Sequence, residues 1–115
     1  MAVRKMNIPA GTALFIGAPA RPMDNRISIA IGRLIDSIKG VAEAHLPQMF
    51  AVNVMEEPAQ VLVLLLHRNA NAEQVARELE LGLPQILPEG AHLDVWPIPI
   101  NHPMADDVRR TGCMI

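Results

Sequence analysis

Residues 48–67, QMFAVNVMEEPAQVLVLLLH, decide the fold. Two runs rich in branched apolar residues, Gln48–Met55 and Gln60–His67, flank the turn Glu56-Glu57-Pro58-Ala59, which predicts a β-hairpin. Val61–Leu66 is apolar without a break, as a strand buried on both faces can be. With Met55 opposite Gln60, Val54 faces Val61, Val52 faces Val63 and Phe50 faces Leu65. The opposite face then carries Met49, Ala51, Asn53 and Met55 beside Leu62, Leu64 and Leu66.

Working outward, Thr12–Gly17 is short, apolar and bounded by glycines, and reads as a first strand. Asp24 caps a helix over about residues 25–39, where Ile27, Ile31, Leu34, Ile35 and Ile38 recur at helical spacing and Gly40 terminates it. Asn71 caps a second helix with the stripe Val75, Ala76, Leu79, Leu83 and Ile86; Gly82 and Pro84 predict a kink or stop near residue 83. His92–Trp96 is the last strand, and a short helix follows over about residues 103–110. The order is strand, helix, strand, strand, helix, strand. It predicts one α+β domain over 1–115 of the ferredoxin-like βαββαβ kind, a four-stranded antiparallel sheet with two helices on one face. The first and third strands are then central and the fourth, running into Pro97 and Pro99, is an edge.

Composition narrows the function. Half of the 115 residues are hydrophobic and 3% are aromatic, with a net charge of −2. That excludes a disordered chain and gives no general attraction to nucleic acid or anionic lipid. One cysteine excludes an intrachain disulfide and a multi-cysteine zinc site. Arg4 and Lys5 precede an apolar stretch that Pro9, Gly11, Thr12 and Gly17 interrupt, so it is not read as a signal peptide. No run reaches the roughly 20 apolar residues of a membrane span, and the reading is a cytoplasmic protein with a reduced thiol at Cys113.

Two helices cover one face of such a sheet, and a solvated second face should alternate to polar residues. Here that face carries Met49, Met55, Leu62, Leu64 and Leu66, with Trp96 added if Leu93 and Val95 point toward the helices. These six are the candidate contacts for a homo-oligomer or another protein partner. A C-terminal segment folding back would cover the same face without a partner, and a small apolar ligand is the third alternative.

Catalytic, cofactor and metal signatures are not found. His45, His67, His92 and His102 lack metal-site spacing, and Ser28 and Ser37 lie within a helix outside any nucleophile elbow. The glycines around the first strand lack a phosphate loop's Lys-Ser/Thr, and the central strand lacks the aromatics of an RNA-recognition domain. One enzyme constellation is readable: Arg21 and Arg26 at the start of the first helix, with Asn53 on a strand to orient water, as acylphosphatases do on this topology.

The stretches Ile8-Pro9-Ala10-Gly11, Ile16-Gly17-Ala18-Pro19 and Pro58-Ala59-Gln60-Val61-Leu62-Val63 resemble the C-terminal domain of the enhanced-serine-sensitivity protein SseB. So do Val75-Ala76-Arg77-Glu78-Leu79, Leu87-Pro88-Glu89-Gly90 and Leu93-Asp94-Val95-Trp96-Pro97. The resemblance spans nearly the whole chain and its motifs are structural. It implies a stand-alone version of a bacterial domain, without the family's N-terminal domain or its aromatic tail, and transfers no catalytic residue. The resulting expectation is a non-enzymatic interaction module that needs no cofactor. The alternatives are a small-molecule, amino-acid-sensing regulatory domain and an acylphosphatase-like hydrolase.

Overall fold

The computed structural model describes residues 3–115 and is an α+β domain. Its strands are β1 (Val3–Lys5), β2 (Leu14–Gly17), β3 (Val41–His45), β4 (Gln48–Ala51), β5 (Ala59–Leu66) and β6 (Leu93–Pro99). Its helices are α1 (Asn25–Asp36), α2 (Ala72–Ile86) and α3 (Ala105–Arg110). The sheet runs β1-β6-β5-β4-β2, with β3 also on β5. β3 and β4 lie end to end along one edge of β5, so the six strands occupy five positions.

The helices follow their caps. The Asp24 carboxylate accepts from the Arg26 N–H at 2.8 Å, and the Asn71 side chain accepts from the Gln74 N–H at 3.1 Å. α1 ends at Asp36, short of the expected residue 39. α2 continues past Pro84 to Ile86. Pro84 removes one hydrogen bond, but it and Glu80 are both exposed, so water reaches the freed Glu80 carbonyl; Leu83 and Ile86 meanwhile pack on the core. Gly82 is needed where the two helices cross, since a Cβ there would lie 2.7 Å from a Leu34 methyl.

The hairpin register differs from expectation. Gln48, not Met55, stands opposite Gln60, and Met49 stands opposite Ala59. The strand stops at Ala51, and the chain turns over residues 52–58 with Asn53 at φ 65°. The same register continues upstream through Leu46-Pro47, so that His45 faces Val63, Ala44 faces Leu64 and Glu43 faces Leu65. The shift is seven residues, an odd number, and an odd shift moves every partner to the other face of the sheet. Met49 therefore shares a face with Val61, Val63 and Leu65, while Leu62, Leu64 and Leu66 face the helices.

The ferredoxin-like order is also corrected. β6, not the first predicted strand, lies beside β5, and it runs parallel to it. β2 is an edge strand, antiparallel to β4. Pro97 and Pro99 are tolerated inside β6 because of the ladder's phase. The Ile100 N–H donates to the Leu66 carbonyl, so the even-numbered residues of this strand donate toward β5 and the odd-numbered ones away from it. On that far side β1 pairs only with Leu93–Val95, so neither proline deprives a ladder of a donor.

Both faces of the sheet are covered. Ile31, Ile35 and Ile38, together with Val75, Leu79 and Leu83 of α2, pack on Leu62, Leu64, Leu66, Leu93 and Val95. On the other face, Ala105 and Val108 of α3 pack with Met6, Met49, Met55, Val63, Trp96 and Ile98.

Candidate interaction edge

All six sequence-derived contact candidates are interior. Met49, Met55 and Trp96 lie in the packed layer that includes Ala105 and Val108 of α3, and Leu62, Leu64 and Leu66 lie in the layer formed with α1 and α2; each is at most 8% exposed. The open apolar face is not present, and the C-terminal alternative describes the structure better. α3 covers the face, and the chain after it adds a short rung to the sheet: the Leu46 N–H donates to the Cys113 carbonyl and the Ile115 N–H to the Ala44 carbonyl, both at 2.9 Å. Leu93 and Val95 point toward the helices and Trp96 away from them, which meets the condition set for Trp96.

A polar cluster fixes α3. Glu43 on β3 takes a forked interaction from Arg109, with Nη2 2.7 Å from Oε2 and Nε 3.1 Å from Oε1. Arg109 also donates to Asp106 at 3.0 Å. The Arg109 guanidinium holds the Glu43 carboxyl below its usual range, against a smaller opposing effect of burial, with His45 adding to the lowering. His45 is buried and meets Glu43 through Nε2 at 3.0 Å, while its Nδ1 has no hydrogen-bond partner among the described residues.

The other chemical candidates are dispersed. Arg21 and Asn53 are exposed in separate loops, with no hydrogen bond or ion pair between them among the described residues. Asn53 lies in a turn, not on the strand that would have let it orient water. His67 and His92 are exposed, and His102 accepts from the Met104 N–H and meets Trp96 edge-on. Among the described residues no three His, Cys, Asp or Glu side chains could hold a metal, and no helix is long and apolar enough to cross a membrane.

Among the described residues, the outer edge of β2 is uncovered. The Val52 N–H donates to the Ala13 carbonyl at 3.0 Å, which sets the phase of the β2–β4 ladder. Ala13, Phe15 and Gly17 bond to β4, and the N–H and C=O groups of Leu14 and Ile16 point off the sheet. No hydrogen bond among the described residues takes them up. Leu14 and Ile16 turn their side chains to the α3 face, while Phe15 lies opposite Phe50 and is 64% exposed. A hollow of about 180 Å³ opens beside these rings, lined also by Gly17, Gln48, Met49 and Pro58.

Natural edge strands are blunted by charge, proline or a bulge. β2 has none of these, and no charged residue occurs from Met6 to Ala20. That uncharged run is the sequence signal of a free edge, and a central position for the first strand conceals it. Comparison with family models, curated proteins and solved structures finds no match to the chain.

Proposed function

We propose that the protein is a non-enzymatic interaction domain that associates by strand addition along β2. The observation that carries this reading is the row of unpaired Leu14 and Ile16 backbone groups beside exposed Phe15. The expected setting is the cytoplasm of a bacterium, and the SseB-like motifs of the hairpin, α2 and β6 support membership of that family. A photo-crosslinking amino acid at position 15, compared in cells with one at exposed Ile29 on α1, tests the site. Adducts specific to position 15 are expected. Equal labelling, or none at position 15, refutes a β2 interface.

A second reading, small-molecule sensing, has its own observation. A hollow of about 420 Å³ lies where β5 ends and α2 begins, lined by Lys39, His67, Asn69, Asn71 and Gln74. Its size suits a small molecule, and its exposed wall is mostly carbon, which favours an amino acid with an apolar side chain. A thermal-shift screen of amino acids tests this reading, and no stabilisation at millimolar concentration removes it.

A further inference from the structure

We infer that the strand added to β2 comes from a second copy of this chain, paired antiparallel about a two-fold axis at Phe15. This rests on the strand-addition reading above and names its partner.

Two copies related by a two-fold axis present the same outward groups to each other. With Phe15 opposite the partner's Phe15, Leu14 exchanges both its backbone hydrogen bonds with the partner's Ile16, and Ile16 exchanges both with the partner's Leu14. All eight outward groups are then used. Moving the register by two residues leaves half of them unpaired, and moving it by one exchanges the faces. The strand is thus self-complementary in a single register.

The side chains agree with that register. Phe15 meets the partner's Phe15 as a non-hydrogen-bonded pair, where Cα atoms come within about 4.5 Å and side chains are closest. Phe50 lies directly across β4 from Phe15, so four rings form one row over the joined sheet. The chain has only two phenylalanines, and they face each other across the β2–β4 pair at this side of the sheet. The uncharged run from Met6 to Ala20 brings no like charges together across the axis and offers no counter-charge to an acidic or basic peptide. A neutral copy of the same strand fits where a charged partner gains nothing.

Sedimentation equilibrium of the full chain tests the inference. The native protein is expected to approach twice its 12.6 kDa mass as concentration rises, with little dependence on salt. Phe15→Lys sets two ammonium groups opposite each other and weakens the dimer by about 100-fold or more. Leu81→Lys, at another exposed apolar position, leaves it intact. The register has a separate readout. In a Cys113→Ser background, Phe15→Cys oxidises to a crosslinked dimer, because a non-hydrogen-bonded pair falls within disulfide reach, whereas Ile29→Cys does not. Circular dichroism confirms that each variant folds. A native monomer at every concentration, with no crosslink through position 15, overturns self-pairing. If photo-crosslinking at position 15 still captures a different protein, the strand-addition reading stands and only the identity of the partner falls; if it captures nothing, both fall.

Discussion

Val63 and Leu64 are adjacent on β5, both 0% exposed, and their side chains enter different packing layers. A sheet covered on one face would tolerate truncation of one of them. Here Leu64→Ala opens a cavity beneath α1 and α2 and costs about 3–4 kcal/mol. Val63→Ala opens one beneath α3 and costs about 2–3 kcal/mol, from roughly 0.8 kcal/mol per buried carbon plus the unfilled space. Unfolding entropy of about 2.1 cal/mol/K per residue gives about 0.24 kcal/mol/K for this chain, so a 3 kcal/mol loss lowers Tm by about 12 °C. Urea unfolding followed by the fluorescence of Trp96, the single tryptophan and itself buried, measures both variants. Leu81→Ala, at a position 68% exposed, is the control and changes stability by less than about 0.5 kcal/mol. If either core variant loses less than about 1 kcal/mol, its face is not sealed and the two-layer packing is wrong.

Three further outcomes follow from local geometry. Gly40→Ala costs about 2 kcal/mol or more, because Gly40 sits at φ 102° and an added Cβ would lie 2.9 Å from the Ala70 Cβ; thermal melts check it. Asn71→Ala removes the α2 cap and costs about 1 kcal/mol by urea midpoint. The depressed Glu43 carboxyl stabilises the fold at pH values above the ordinary glutamate range, and that stability is lost as pH falls through the lowered folded value. Glu43→Gln should therefore lower stability at neutral pH and flatten the acid limb of the curve; an unchanged acid limb refutes the role given to this contact.

The parts of the fold legible in the sequence were those set by neighbours along the chain. Asp24 and Asn71 marked both helix starts, the apolar stripes marked the buried faces of α1 and α2, and unbroken Val61–Leu66 marked the interior strand. Register was not legible, because the Glu56–Ala59 turn signal sits at the end of a longer loop and the true strand breaks at Pro47. Val41–His45, with two alanines and a glutamate, carries little strand preference; its pairing is tertiary, held by β5 on one side and the C-terminal residues on the other. An odd shift in register exchanges the two faces of the hairpin, and with them the candidate surface. Burial on both sides looks the same in either register, so apolar content alone could not reveal it.

The β1–β6 ladder has a kinetic consequence. Val3 stands opposite Leu93, so the rung closes a loop of about ninety residues with only three residue pairs. The contacts between β4 and β5, and the β5-α2-β6 crossover, span far shorter separations and can assemble while the first residues are still searching. Mutations in β5 should therefore slow folding. Changes that weaken the β1 rung should chiefly speed unfolding, making β1 a latch on the lifetime of the native state rather than on the speed of reaching it.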